Sequence, residues 1–157
     1  MALSIYLTIT ILLLHVAFYI KKPLNFMENS LVFMVMAIIT RQCLTLSAME
    51  WGLFKMTEDD WLFVCLLLCR DLFTPMICVI FVNFYVRGEY NIASFLISLA
   101  VLLGLHELAV QLGILTYIHW NFFYTILLNT GFLLAALSVL KLIYFIKIRE
   151  NGQHENI

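Results

Sequence analysis

Five long apolar runs, separated by short polar segments, are the main feature of the sequence. They cover residues 2–20, 30–54, 61–86, 91–115 and 122–146. A transmembrane helix needs roughly 20 predominantly apolar residues, and each run has about that length or more. The pattern predicts an all-α polytopic membrane protein, a single bundle of five transmembrane helices followed by a short polar tail at 147–157.

Composition supports a membrane environment. Of the 157 residues, 64% are hydrophobic and only 12% are charged, and the mean hydropathy is +0.99. Soluble domains carry about 25% charged residues. A soluble chain of this length could not bury five such runs, so we expect the lipid bilayer to surround them.

Basic residues are distributed unevenly between the two sets of loops. One side carries only Lys55, beside Glu58, Asp59 and Asp60. The other side, with the tail, carries Lys21, Lys22, Arg87, Lys141, Lys147 and Arg149. The positive-inside rule then predicts an N-terminus outside and a C-terminus in the cytoplasm. No basic residue precedes the first run, which favours a retained helix over a cleaved signal peptide.

The third run is the one around which the others are organised, because it carries Arg70, Asp71 and Pro75 near its middle. A charge at the centre of a membrane helix costs roughly 2.5–3.5 kcal/mol, so it needs a compensating partner. Proline removes a backbone donor and should kink the helix; Thr74 or a neighbouring helix is expected to bond the freed carbonyl.

Two further runs carry charge on stripes of small and polar residues, which we expect to face inward. The stripe of the second run comprises Ala37, Arg41, Thr45, Ala48 and Gly52. The stripe of the fourth run comprises Ala93, Ala100, Gly104, Glu107 and Gln111. By the helical rise, Arg41 and Glu107 lie at depths in the membrane that overlap those of Arg70 and Asp71. We therefore predict two buried ion pairs, Arg41 with Asp71 and Arg70 with Glu107.

Four more polar residues join this candidate site. His106 lies beside Glu107, and with His15 of the first run it is a candidate to pass a proton or bind a polar head group; a packed, hydrogen-bonded histidine is the alternative. Asn129 lies on a polar stripe of the last run, and Glu50, which precedes Trp51, is placed near the membrane interface.

The sequence gives little support for an enzymatic active site. There is no H-E-x-x-H motif, and an intramembrane aspartyl dyad needs two aspartates where only Asp71 lies inside a run. Ser94 and Ser98 are too far from His106 along one helix to form a nucleophile–base pair. We expect no enzyme activity, no metal and no cofactor.

The segment 115–124, LTYIHWNFFY, together with DLFTPMICVIFVNFY, resembles small multi-pass membrane proteins of spore-forming Gram-positive bacteria. The shared features are an acid in the fourth run, then Tyr117, His119, Trp120 and Tyr124, and a final helix with a basic end. The resemblance covers the C-terminal half and implies a bacterial cell membrane or spore membrane. The family has no assigned activity, and the Arg70–Asp71 pair has no counterpart in it.

Two functions remain open from the sequence. The first is a non-enzymatic integral membrane protein whose buried charges hold the bundle together. The second is a small transporter or lipid-binding protein that uses the same charges as a polar or proton-handling site. The partners expected are the bilayer, a membrane protein or a second copy of the chain, and no nucleic acid.

Overall fold

The computed structural model describes residues 2–20, 23–50, 52, 54–57, 59–88, 91–118 and 120–154. Several residues used in the predictions lie outside this set: Lys21, Lys22, Trp51, Glu58, His119 and residues 155–157 of the tail. Among the described residues, five helical stretches are long and apolar enough to cross a membrane. The prediction of an all-helical chain with five spans is confirmed, which supports a multi-pass membrane protein.

The elements follow one another with short connections. The helices are α1 (Ala2–Tyr19), α2 (Phe26–Met49), α3 (Asp60–Leu67), α4 (Thr74–Arg87), α5 (Asn91–Gln111) and α6 (Phe122–His154). A π-helical segment, Leu68–Phe73, joins α3 to α4 without a break, and we call Asp60–Arg87 the central span. Two short strands, β1 (Phe54–Met56) and β2 (Leu115–Tyr117), lie in the loops.

The helix ends are set by local polar contacts. The backbone N–H of Asn25 donates to Glu28 Oε2 at 2.8 Å, and this starts α2. Asp59 Oδ1 accepts from the Trp61 N–H at 3.0 Å and caps α3. Gly88, with φ of 75°, ends α4 in the left-handed conformation that glycine adopts most easily.

β1 and β2 define one end of the bundle, which we call the strand end. They pair antiparallel, with Lys55 opposite Thr116, so the α2–α3 and α5–α6 loops lie together. Residues at the start of α1 share a groove at this same end with Asp59 and Trp61. The five spans therefore alternate in direction.

The central span is the hub of the bundle. It packs against α1, α2, α5 and α6, while α6 also packs against α2 and α5. Its Phe73, Ile77 and Phe81 are buried in the core. α1 is peripheral: it is held mainly by Tyr6, whose ring stacks on Phe73 with centroids 5.6 Å apart.

The element bounds differ from the prediction at three places. α5 was expected over 91–115, but it ends at Gln111, ahead of Gly113 with its positive φ of 72° and of strand β2. α2 was expected over 30–54, but it begins at Phe26 and ends at Met49, because Glu28 caps its start and Gly52 has a positive φ of 57° just beyond its end. α6 continues to His154 rather than ending at 146, so most of the predicted tail is helical. Lys147 in this extension donates to Glu28 Oε1 at 3.0 Å, which ties it to α2.

The predicted inward face is wrong for the fourth run and holds only in part for the second. α2 buries Val32, Met36, Thr40 and Ser47. Of its predicted stripe, Ala37, Thr45 and Ala48 are half-buried, whereas Arg41 is exposed. α5 buries Ser98, Leu102 and Ala109. Its small-residue stripe is mostly exposed: Ala93, Ala100, Gly104 and Gln111 are exposed and Glu107 is partly exposed. Side chains that fill volume decide which face is buried, because lipid and the bundle core are equally apolar.

Candidate functional site: a polar cavity beside the central span

The site begins with an irregular turn in the central span. In the π-helical segment, the backbone N–H of Thr74 bonds the carbonyl of Cys69, five residues earlier, and the Thr74 hydroxyl donates to the same carbonyl at 3.1 Å. The next residue, Pro75, has no N–H. The carbonyl of Arg70 is therefore left without the backbone donor that continuing the π pattern would give it.

A neighbouring helix supplies the missing donor. Thr40 Oγ1 of α2 lies 3.3 Å from the Arg70 carbonyl oxygen and 3.2 Å from that of Ala37, so its one proton is shared between them. Thr40 is fully buried. The prediction was that Thr74 or a neighbouring helix bonds a carbonyl freed near Pro75. Both contribute: Thr74 bonds the carbonyl of Cys69, and Thr40 bonds that of Arg70. The sequence did not single out Thr40, whose only signal is that it shares a helical face with Met36 and Ser47.

The charges of Arg70 and Asp71 neutralise each other within the central span. Arg70 Nε donates to Asp71 Oδ1 at 2.8 Å, and Arg70 Nη2 donates to Asp71 Oδ2 at 3.1 Å. This is a two-pronged guanidinium–carboxylate contact, the strongest common geometry for such a pair. Arg70 is only 7% exposed, so the pair removes a bare charge from the interior of the bundle.

This geometry overturns the predicted pairing. Arg70 pairs with Asp71 and not with Glu107, and Arg41 does not pair with Asp71. Among the described residues, Arg41 and Glu107 form no ion pair or hydrogen bond. The two predicted ion pairs are replaced by one, Arg70 with Asp71, because adjacent side chains on the widened turn reach each other before either reaches another helix.

Arg70 lines a small cavity with polar groups from two other helices. The cavity has a volume of about 30 Å³, and its polar lining is Arg70, Thr74, His106 of α5 and Asn129 of α6. Apolar side chains such as Leu66 and Phe132 close it. The structure thus brings together three of the predicted site residues, Arg70, His106 and Asn129.

The chemistry open to this cavity is limited by its size. A volume of about 30 Å³ corresponds to about one water molecule. Asn129 is 5% exposed, and its Nδ2 has no acceptor among the described residues. In that same part of the chain, no three His, Cys, Asp or Glu side chains are grouped as metal ligands would be.

The remaining predicted residues lie away from the cavity. His15 is exposed on α1, where its ring stacks on Tyr19 with centroids 5.9 Å apart. Glu50 is exposed at the end of α2. Neither contributes to the site around Arg70.

Two other buried polar contacts escaped the sequence reasoning. Asn83 Nδ2 of α4 donates to Asn29 Oδ1 of α2 at 2.6 Å, and Trp120 Nε1 donates to Thr125 Oγ1 of α6 at 2.7 Å. A single asparagine inside an apolar run was the available signal for Asn83. The first contact joins α4 to α2 and restricts how they pack, whereas the second ties the segment ahead of α6 to the first turn of that helix.

Three larger grooves lie between helices. Their volumes are about 480 Å³ between α1, α2 and α4, about 680 Å³ between α2 and α6, and about 350 Å³ between α1, α4 and α5. Their linings are mainly apolar. Asn29 and Asn83 border the first, and Ser47 and Trp120 border the second.

Comparison with protein-family models, with curated proteins and with solved structures found no match to this chain.

Proposed function

We propose that this chain is a non-enzymatic integral membrane protein in which buried polar groups fix the packing of five helices. The observation that carries the proposal is the closed environment of Arg70. Its charge is neutralised by the neighbouring Asp71, and the space beside it has the volume of about one water molecule. Such a site holds structure together but admits no solute larger than water.

Polar contacts between helices support this role. Thr40 of α2 bonds the central span, Asn83 of α4 bonds Asn29 of α2, and Lys147 of α6 bonds Glu28 of α2. Helices in lipid gain no hydrophobic free energy from meeting each other, so hydrogen bonds and close packing determine their arrangement.

The alternative is a small transporter or lipid-binding protein that uses the charged residues. It needs a cavity that brings a solute or head group to those charges. The cavity at Arg70 is too small, and the larger grooves are bordered mainly by apolar side chains. In a bilayer these grooves fit acyl chains, which would be solvent for the bundle and not a transported substrate.

The orientation and the membrane belong to the same proposal. The N-terminus lies outside and the C-terminus in the cytoplasm, as the excess of Lys and Arg at the end opposite the strands indicates. Asp59 and Asp60 lie at the strand end, which is then the outer one. The resemblance in the C-terminal half favours a bacterial cell or spore membrane.

The proposal is tested by removing Arg70 and Asp71 singly and together. Asp71→Leu leaves a buried guanidinium unpaired and should lower the free energy of unfolding by about 3 kcal/mol. Arg70→Met should cost less, because the Asp71 side chain is 35% exposed. The double variant Arg70→Met/Asp71→Leu should recover to near the wild-type value, because an apolar pair of similar volume leaves no charge unpaired. The measurement is unfolding by SDS titration in mixed micelles.

A flux assay separates the architectural role from proton handling. Wild-type protein and the folded double variant are reconstituted in liposomes that contain a pH-sensitive dye. Equal proton uptake by both, at the level of protein-free liposomes, supports the architectural role. Faster uptake by the wild type that the double variant abolishes would overturn it.

A further inference from the structure

Two charged side chains in the strand-end half of the spans, each at least one turn from the helix end, point away from the bundle. Arg41 is exposed on α2, and Glu107 is partly exposed on the outer face of α5. Within the described part of the chain, neither forms an ion pair or a hydrogen bond. Exposed ionisable groups within membrane spans are rare, since they are normally paired inside a bundle or a cavity. Both residues therefore need a partner that one copy of the chain does not supply.

The two charges lie at similar depth in the membrane. α2 and α5 both run toward the strand end, where their spans end at Ala48 and Gln111. By the helical rise, Arg41 lies about 10 Å and Glu107 about 6 Å below those ends. The long arginine side chain covers the difference, so the residues are at matching levels on parallel helices.

The face of α5 around Glu107 is shaped for close contact with another helix. Ala93, Ala100 and Gly104 are exposed on the same stripe as Glu107. A Cβ added at Gly104 would meet nothing within 4 Å, so the backbone surface there is open. Small residues on such a stripe let a second helix approach closely in lipid.

The arrangement of the helices fixes the kind of contact. α2 and α5 each pack against α4 and α6, and α4 and α6 also touch each other. α2 and α5 thus lie on opposite sides of the α4–α6 pair. A contact between Arg41 and Glu107 must join α2 of one copy to α5 of the next. That is a head-to-tail interface, which builds a closed ring or a row.

We propose that this protein self-associates in the membrane through such an interface, with Arg41 of one copy paired to Glu107 of the next and the small-residue stripe of α5 seated against α2. The opposite charges favour a second copy as the occupant, because each copy presents both halves of the contact at matching depth. The inference requires the chain to lie in a bilayer but does not depend on the role of Arg70 and Asp71.

Charge reversal tests the ion pair. Association is measured by energy transfer between donor- and acceptor-labelled copies in liposomes, over a range of protein-to-lipid ratios. Arg41→Glu and Glu107→Arg should each weaken association about tenfold, and the double reversal should restore most of it, as a coupled pair does. Lys141→Glu, which reverses an exposed base within the span of α6, is the matched control and should leave association unchanged. Wild-type protein that stays monomeric at every ratio, or single variants that associate like the wild type, would overturn the proposal.

Cross-linking tests the geometry without removing either charge. Ile38, exposed on α2 one turn from Arg41, is changed to Cys in one tagged copy, and Gly104 is changed to Cys in a differently tagged copy. Oxidation in the membrane should link Ile38→Cys copies to Gly104→Cys copies beyond the background of wild-type chains. Links only between two Ile38→Cys copies or two Gly104→Cys copies, or none above background, would exclude the head-to-tail interface.

Discussion

The backbone carbonyl of Arg70 shows how one missing donor is compensated across a helix boundary. Pro75 cannot donate to it, and the Thr74 N–H is already directed to Cys69. The Thr40 hydroxyl of α2 lies within hydrogen-bonding distance of this carbonyl oxygen and acts as its donor. A buried carbonyl without a partner is costly, so this contact links α2 and the central span at a defined rotation and depth.

Thr40→Val removes this donor while nearly preserving side-chain shape. We expect the free energy of unfolding to fall by about 1 kcal/mol, the usual size of a hydrogen bond between membrane helices. Unfolding by SDS titration in mixed micelles measures it. Thr8→Val is the control: its hydroxyl donates to the Ser4 carbonyl within exposed α1, and its loss should change stability by less than about 0.5 kcal/mol. Equal effects of the two substitutions would contradict the assigned role of Thr40.

At the level of single residues, the sequence identified polar groups but not their partners. Arg70, His106 and Asn129 stood out because each interrupts an apolar run, and the structure places all three at one cavity. The pairing of Arg70 with Asp71 was not predicted, because adjacent side chains on a regular α-helix do not face each other. Only the π-helical segment, which widens the turn, brings the guanidinium onto the next carboxylate.

The π-helical segment ahead of Pro75 is the element that positions the site. In this segment the Arg70 side chain is buried and its guanidinium pairs with the Asp71 carboxylate. The backbone carbonyl of Arg70 accepts a hydrogen bond from Thr40 of α2. Single-turn π segments are uncommon inside helices and often occur at functional sites. Here the segment gives the central span a defined shape that α1, α2, α5 and α6 pack around.

Pro75→Ala tests whether the proline creates the need for Thr40. Alanine supplies an N–H that can bond the carbonyl of Arg70 or Asp71, so the Thr40 hydroxyl becomes less important. In a double-mutant cycle, the stability loss caused by Thr40→Val should shrink in the Pro75→Ala background, with a coupling energy of about 0.5–1 kcal/mol. The same substitution in a Met76→Ala background should keep its full effect. An unchanged Thr40→Val penalty in both backgrounds would show that Pro75 and Thr40 act independently.

At the level of elements, the number of spans was predictable and their rotation was not. Length and hydropathy identify a membrane helix, and all five runs are helical over most of their length. Rotation depends on which side chains fill the space between helices. Small-residue stripes such as that of α5 favour contact with another helix in lipid, but nothing in the pattern says whether that helix belongs to the same copy.

Considered as a whole, the molecule has two charge environments. Inside, the charges of Arg70 and Asp71 cancel, and uncharged polar contacts such as that of Asn83 with Asn29 join neighbouring helices. On the outer surface of the bundle, Arg41 on α2 and Glu107 on α5 lie on opposite sides. Both lie in the strand-end half of their spans. The inner pair serves the fold of one copy, whereas the outer charges are the ones that we propose to join copies.

The last prediction concerns the proposed orientation of the chain in the membrane. An odd number of spans puts the two termini on opposite sides. Under the positive-inside rule we propose that the end opposite the strands, where most bases lie, is the cytoplasmic one. Asp60, exposed at the strand end, and Arg149, exposed near the end of α6, are matched reporter positions. In intact cells a membrane-impermeant maleimide should label Asp60→Cys but not Arg149→Cys, and permeabilisation should expose both; wild-type cells give the background of the native cysteines. Labelling of Arg149→Cys alone would mean that the bundle is inserted the other way up. Arg41 and Glu107 would then lie in the cytoplasmic half of the membrane. The proposed pairing between copies would not change.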